Sequence, residues 1–209
     1  MDKRFAIFDM DGTLVDSMVY WKHLAGEFLT SKGVSNIPKD ILEKIKPLTI
    51  TESAALFIRA FSLEGTAQSI AAEINGMMDK HYRNDIPLKK GVQEYLEKLY
   101  QDGTVMCVAS ATAEHLMDAC LSRLGVRKYF QFLLSCETVG AGKSQPDIYF
   151  ESVKRMGCTP AAAAVYEDAL YAVITAKKAG FFVVGVYDES AGEHWPEIEA
   201  LADETIRTF

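Results

Sequence analysis

Residues 5–17, FAIFDMDGTLVDS, decide how this chain is read: four apolar residues run into Asp9 and Asp11, which are separated by Met10 and followed by Gly12. A short, continuously apolar run ending in Asp-Met-Asp-Gly predicts a buried strand whose C-terminal end opens into a turn. Gly12 can take the positive φ that other residues avoid. The competing reading is a hairpin, because Asp-Gly is a strong turn dipeptide. A hairpin calls for polar and apolar residues alternating on both sides, whereas Phe5 to Phe8 are all apolar and LVDSMVYW continues toward a helix. Ligands of open α/β sheets gather at such strand ends. Side chains two apart on an extended chain leave on the same side, so Asp9 and Asp11 can face one crevice. Their repulsion is relieved by a shared proton or by a divalent cation. Mg²⁺ is the hard ion that takes one or two carboxylates together with substrate phosphate.

With 209 residues and 49% hydrophobic composition, the chain can form one large domain, or a core and a smaller one, around a sizeable interior. MDKRFAIF does not read as a secretory leader and no apolar run approaches the roughly 18 residues of a membrane span. A cytoplasmic protein without a membrane partner is expected. Cys107, Cys120, Cys136 and Cys158 are scattered, with no CxxC and no His-Cys ligand spacing, which fits a reducing compartment better than disulfides or zinc. The formal net charge is −7 and Lys and Arg form no cluster. Nucleic acid is therefore not an expected partner.

Helical spacing runs from Ser17 to Leu29 and recurs over 38–45, 51–61 and 66–82, with no strand pattern between. From Gly91 the pattern changes. A helix to about Gln101 precedes the apolar run Val105 to Ala109, which ends at Ser110; Ser110-Ala111-Thr112 then opens a helix over 113–124, whose first N–H groups can face an anion. Further strands are predicted at 130–135, 161–166 and 182–186, and a last one at 204–206. Gly142-Lys143-Ser144 invites comparison with a P-loop, but a P-loop sets its first glycine five positions before that Gly, where this chain has Glu137. Glu167 and Asp168 stand at another strand tip. His23, His81, His115 and His194 pair with no Ser or Cys, and Met77, Met78 and the aromatics of 16–87 read as interior packing.

DxDGT after a first apolar strand resembles the leading motif of the haloacid dehalogenase-like (HAD) phosphotransferases, and the resemblance covers almost the whole chain. VASAT, ending a strand at Ser110, resembles the second motif. Lys143 before Pro146-Asp147 resembles the third, with Ser144 where many relatives have proline. Glu167-Asp168 resembles the fourth, with Ala169 and Ala172 where many relatives carry Ser and Gly, so a hydrogen bond near the metal is expected to be missing or supplied by water. The resemblance implies an α/β fold with a Rossmann-like parallel sheet core, residues 1–15 and 88–209, and an inserted α-helical cap, residues 16–87. It implies Asp9 as nucleophile and Asp11 as acid and base. Ser110, the N–H of Ala111 and Lys143 would hold the transferring oxygens. Mg²⁺ would be held by Asp9, the backbone carbonyl of Asp11 and Asp168, with Glu167 beside it.

The activity so implied is a Mg²⁺-dependent phosphatase acting on a small phosphorylated metabolite through an aspartyl-phosphate. The alternatives are a sugar-phosphate mutase and, third, a non-catalytic phosphate-binding protein. Mutases resembling this chain place a histidine five residues after the Asp that follows DGxxx, where it helps hold the acid/base aspartate out of position. Counting from Asp16, that position is Trp21, and His23 lies about 200° further round the helix. An indole has one N–H donor and takes no proton. A restraint on Asp11 is thus expected to be absent, and hydrolysis favoured. The sequence leaves the substrate and the oligomeric state open.

Overall fold

The computed structural model describes residues 4–45 and 47–209. Six strands form one sheet: β1 (Phe5–Phe8), β2 (Val105–Ser110), β3 (Phe130–Ser135), β4 (Ala163–Glu167), β5 (Phe182–Val186) and β6 (Glu204–Ile206). They lie in the order β3-β2-β1-β4-β5-β6, and every neighbouring pair is parallel. Helices cover both faces, which is why the strands read as unbroken apolar runs. Alternation assigns each residue its side. Ala6 and Phe8 join Met106, Val108, Ala164 and Tyr166 in one buried cluster, while Ile7 joins Cys107, Ala109, Ala163 and Val165 in the other. Phe8 stacks on Tyr166 with ring centroids 4.1 Å apart.

Between β1 and the rest of the sheet come four helices, α1 (Met18–Ser31), α2 (Lys39–Ile45), α3 (Ile50–Phe61) and α4 (Ala67–Asn84). Capping boxes start two of them: Thr49 with Glu52 for α3, and Thr66 with Ser69 for α4, each satisfying two otherwise unpaired N–H groups. The core then continues through α5 (Val92–Gln101), α6 (Glu114–Arg123), α7 (Cys136–Val139), α8 (Asp147–Met156), α9 (Leu170–Lys178) and α10 (Trp195–Leu201). The molecule is thus a parallel α/β sheet core with an inserted helical cap. Helix α4 packs on α1 and α3 and also on α6 of the core.

The predicted strands at 130–135, 182–186 and 204–206 are found with those bounds. The strand expected over 161–166 begins two residues later, because Pro160–Ala162 form a 3₁₀ turn. The helix expected from Ala113 begins at Glu114, with Ala113 extended. Short α7 carries no period of its own and was not foreseen; its N-cap is Ser135, whose hydroxyl accepts the N–H of Glu137 at 3.2 Å.

The two chain crossings into the cap are paired. Val15 bridges Leu88, the N–H of Asp16 donates to the carbonyl of Pro87 at 3.0 Å, and that of Lys89 donates to Leu14 at 3.0 Å. The ammonium of Lys89 also donates to the carbonyls of Gly12 and Tyr187, both at 2.6 Å, and pairs with Asp188 at 3.0 Å. Arg123 on α6 donates to the carbonyls of Tyr82 and Ile86.

Candidate active site

Strand β1 lies between β2 and β4, where connections leave in opposite directions, so a crevice opens beyond the C-terminal ends of the three strands. In register, Phe8 stands opposite both Val108 and Tyr166. Asp9, Ser110 and the pair Glu167-Asp168 therefore emerge side by side from three adjacent strands. Gly12 closes the turn with φ +83°, and a Cβ there would collide with the carboxylate of Asp168. That is the physical demand behind glycine at this position.

One half of the site is a dry cluster of charge. Asp9 is 7% exposed, Lys143 4%, Glu167 1% and Asp168 4%. The ammonium of Lys143 pairs with Asp9 and, at 2.6 Å, with Glu167, and Tyr149 donates to the same Glu167 oxygen at 2.8 Å. Thr13 donates to Asp168 at 3.1 Å. Oxygens of Asp9, Glu167 and Asp168 all lie within 4.8 Å of one another. Burial raises Asp9 well above the usual carboxylate range; Lys143 opposes this, and Glu167, Asp168 and Asp11 add to it. Burial, then Glu167 and Asp188, push Asp168 up to about 7 against Lys89 and Lys143. Burial also works against the charge of Lys143, but Asp9 and Glu167 outweigh it and hold the ammonium well above its ordinary value. Three buried carboxylates against one ammonium leave uncompensated negative charge, and three hard oxygen donors at this spacing suit Mg²⁺.

The other half is built around Asp11, whose carboxylate lies outside that cluster among the described residues. Its Oδ1 accepts from Ser17 at 2.6 Å, from Tyr82 at 2.7 Å and from the Trp21 indole at 3.1 Å. Its Oδ2 accepts from Thr112 at 2.7 Å and from Ser110 at 3.4 Å. Trp21 also donates to the Tyr82 hydroxyl at 2.9 Å. Two expectations are corrected here. The indole of Trp21 does hold Asp11, because the bond requires only an N–H donor; and Trp21 and Tyr82 are not mere packing, since each turns its polar tip to this carboxylate. Met78, by contrast, is fully buried as expected.

Ser110 is buried at the end of β2, and its hydroxyl oxygen accepts the N–H of Thr112 at 3.1 Å. Ala111 lies between them in the turn before α6. Ser144 is exposed, Ala172 is fully buried, and Ala169 caps α9 without a side-chain bond. A hydrogen bond to Asp168 is supplied all the same, by Thr13. Sequence reasoning missed Thr13, Ser17, Tyr82, Thr112 and Tyr149. Thr13, Ser17 and Thr112 stand in the DGT, LVDS and VASAT runs and were within reach, whereas Tyr82 and Tyr149 sit in no local pattern. His81 pairs with Asp85 at 2.8 Å at the surface end of α4 and takes no part.

Fold and site together define an α/β enzyme whose helical cap stands over a carboxylate-lysine centre. The chain belongs to the haloacid dehalogenase-like hydrolases, whose family model matches residues 6–186, and to their phosphoglycolate phosphatase and β-phosphoglucomutase-like branch. It is 26% identical over 175 residues to hexitol phosphatase B of Escherichia coli, covering 83% of this chain and 79% of that one. It is also 26% identical over 200 residues to the β-phosphoglucomutase of Bacillus subtilis, covering 86% and 81%. The crystal structure of β-phosphoglucomutase from Clostridium difficile shares the fold with TM-score 0.80 at 20% identity, covering 99% of this chain and 91% of that one.

Proposed function

We propose that the protein is a Mg²⁺-dependent phosphatase that hydrolyses a small phosphorylated metabolite through an aspartyl-phosphate on Asp9. The observation that carries this reading is the excess of buried carboxylate around Asp9, relieved by a single ammonium, at the open end of the sheet. Asp9, Asp168 and the backbone carbonyl of Asp11 would hold the cation, with Glu167 beside them. When bound, the cation supplies charge neutralisation for the phosphoryl oxygens. Lys143, Ser110 and the N–H of Ala111 hold those oxygens, and Glu167 with Tyr149 fixes Lys143 in place. Asp9 attacks phosphorus and the bond to the leaving oxygen breaks. Asp11 gives that oxygen its proton and then takes one from the water that hydrolyses the aspartyl-phosphate. Both its oxygens are occupied by five donors, so it must give up at least one of them to act. We take the cap as residues 16–87 and the core as 1–15 and 88–209, supported by the pairing of Val15 with Leu88.

A sugar-phosphate mutase is the second reading, favoured by the hold of Trp21 and Tyr82 on Asp11. The hexitol phosphatase and the mutase are equally similar to the chain, so chemistry has to divide them. Offered a panel of sugar monophosphates with Mg²⁺, the enzyme should release inorganic phosphate and free sugar. Conversion of a sugar 1-phosphate to its 6-phosphate, with little phosphate released and a bisphosphate required as primer, would make it a mutase.

A further inference from the structure

Substrate has to reach Asp9, yet the carboxylate-lysine cluster is almost wholly buried with the cap seated over it. Access requires the cap to lift, and lifting must break what ties it to the core away from the hinge. The contacts of Arg123, Lys89 and the Val15–Leu88 bridge all lie where the chain crosses between the two parts. A charged tie of a different kind sits at the start of α3. The first N–H groups of a helix have no partner within it. The box formed by Thr49 and Glu52 satisfies two donors there. The N–H of Thr51 is taken by the core instead: Glu137 on α7 accepts it on Oε1 at 2.9 Å and accepts the Thr51 hydroxyl on Oε2 at 2.9 Å. A carboxylate on a helix N-terminus is favoured by the dipole as well. Five residues on, Gly142 leaves no room for a side chain, since a Cβ there would stand 2.6 Å from the carbonyl oxygen of Pro47. The cap therefore rests on the segment that begins at Glu137 and delivers Lys143 to Asp9.

We propose that Glu137 is a positioning residue: by capping α3 from the core it latches the cap shut, and so makes the placement of Lys143 against Asp9 depend on closure. The kinetic side of this rests on the phosphatase reading; the position of the cap does not. Glu137→Ala, Thr51→Ala and the double variant are made in a Trp195→Phe background, which leaves Trp21 as the sole tryptophan of the 2 in the chain. Trp21 reports on the interface because its indole bonds Asp11 across it. Acrylamide quenching of Trp21 should rise at least threefold in Glu137→Ala and less in Thr51→Ala, which keeps its N–H. The double variant should match Glu137→Ala, because both changes remove one contact. With an aryl phosphate and Mg²⁺, kcat/KM should fall about tenfold, the scale of a charge-assisted hydrogen bond, mainly through KM. Glu137→Gln, with one acceptor oxygen left, should recover part of the loss. Unchanged quenching in a Glu137→Ala protein whose circular dichroism is native would reduce Glu137 to a helix cap and overturn the latch, as would strictly additive effects of the two substitutions. Increased quenching with no phosphate released even by the parent would uphold the latch and remove the phosphatase reading.

Discussion

The two halves of the site are built in opposite ways. On the core side, Asp9, Glu167 and Asp168 leave the ends of neighbouring parallel strands and are packed dry; Asp9 and Glu167 share the Lys143 ammonium, and Asp168 accepts from Thr13. On the cap side, Trp21 and Tyr82 reach Asp11 from two helices, join hydroxyls of Ser17, Thr112 and Ser110, and form a neutral ring of donors around one carboxylate. The core half concentrates unlike and like charge where water is excluded, so each member is hard to replace. The cap half divides its hold among several neutral donors, so each is individually dispensable. The first arrangement suits chemistry that needs a fixed electrostatic field. The second suits a group that must be released and retaken when a lid moves.

The largest effect should come from the core half. Asp9→Asn leaves the shape of the site but removes the nucleophile and one metal ligand, so turnover of an aryl phosphate should fall at least a thousandfold, about 4 kcal/mol of barrier. Because burial keeps the Asp9 carboxyl far above its ordinary range, losing that charge should not lower the melting temperature. Phosphate release within tenfold of the parent would break the contrast by showing that Asp9 is as dispensable as a cap residue.

The next effect concerns the cation and can be read without turnover. An acid whose folded pKa is raised gives stability below its unfolded pKa, near 4, and loses it as pH climbs through the folded value. For Asp168, pushed up to about 7, the loss therefore spans pH 4 to about 7, and Asp9 shifts in the same direction. A bound cation restores what ionisation removes. Mg²⁺ at about 100 times its Kd is worth about 2.7 kcal/mol, or roughly 5–10 °C in Tm for a chain of this size. That rise should be seen at pH 8 and should shrink below pH 5. A rise of equal size at both pH values would place the cation away from these acids.

The smallest effects should come from the cap half. Trp21→Phe and Tyr82→Phe each take away one of three donors to Asp11 Oδ1. Each should change kcat by less than fivefold, about 1 kcal/mol at most. The double variant, which leaves Ser17 alone on that oxygen, should lose more than the product of the single changes. A single substitution as damaging as Asp9→Asn would mean that the hold is not shared.

What the sequence by itself determined is the sheet and the core half of the site. A strand buried on both faces must be continuously apolar, its end is marked by the first polar residue, and parallel strands bring such ends to one edge. Phe5 to Asp9, Val105 to Ser110 and the run over 161–166 into Glu167-Asp168 could be read for that reason, whereas Lys143 could be found only because the run before Pro146-Asp147 resembles the third motif of the family. Only the tertiary structure decided the cap half. Trp21 and Tyr82 are far apart along the chain and follow the same helical spacing as ordinary packing residues, so nothing local separates an aromatic that fills the interior from one that aims its hydroxyl or N–H at Asp11. Glu137 likewise faces a helix N-terminus 86 positions earlier in the chain. Hydrophobic period records whether a side chain is turned inward; which group from another element it then meets is fixed by how the packed helices are placed over the sheet.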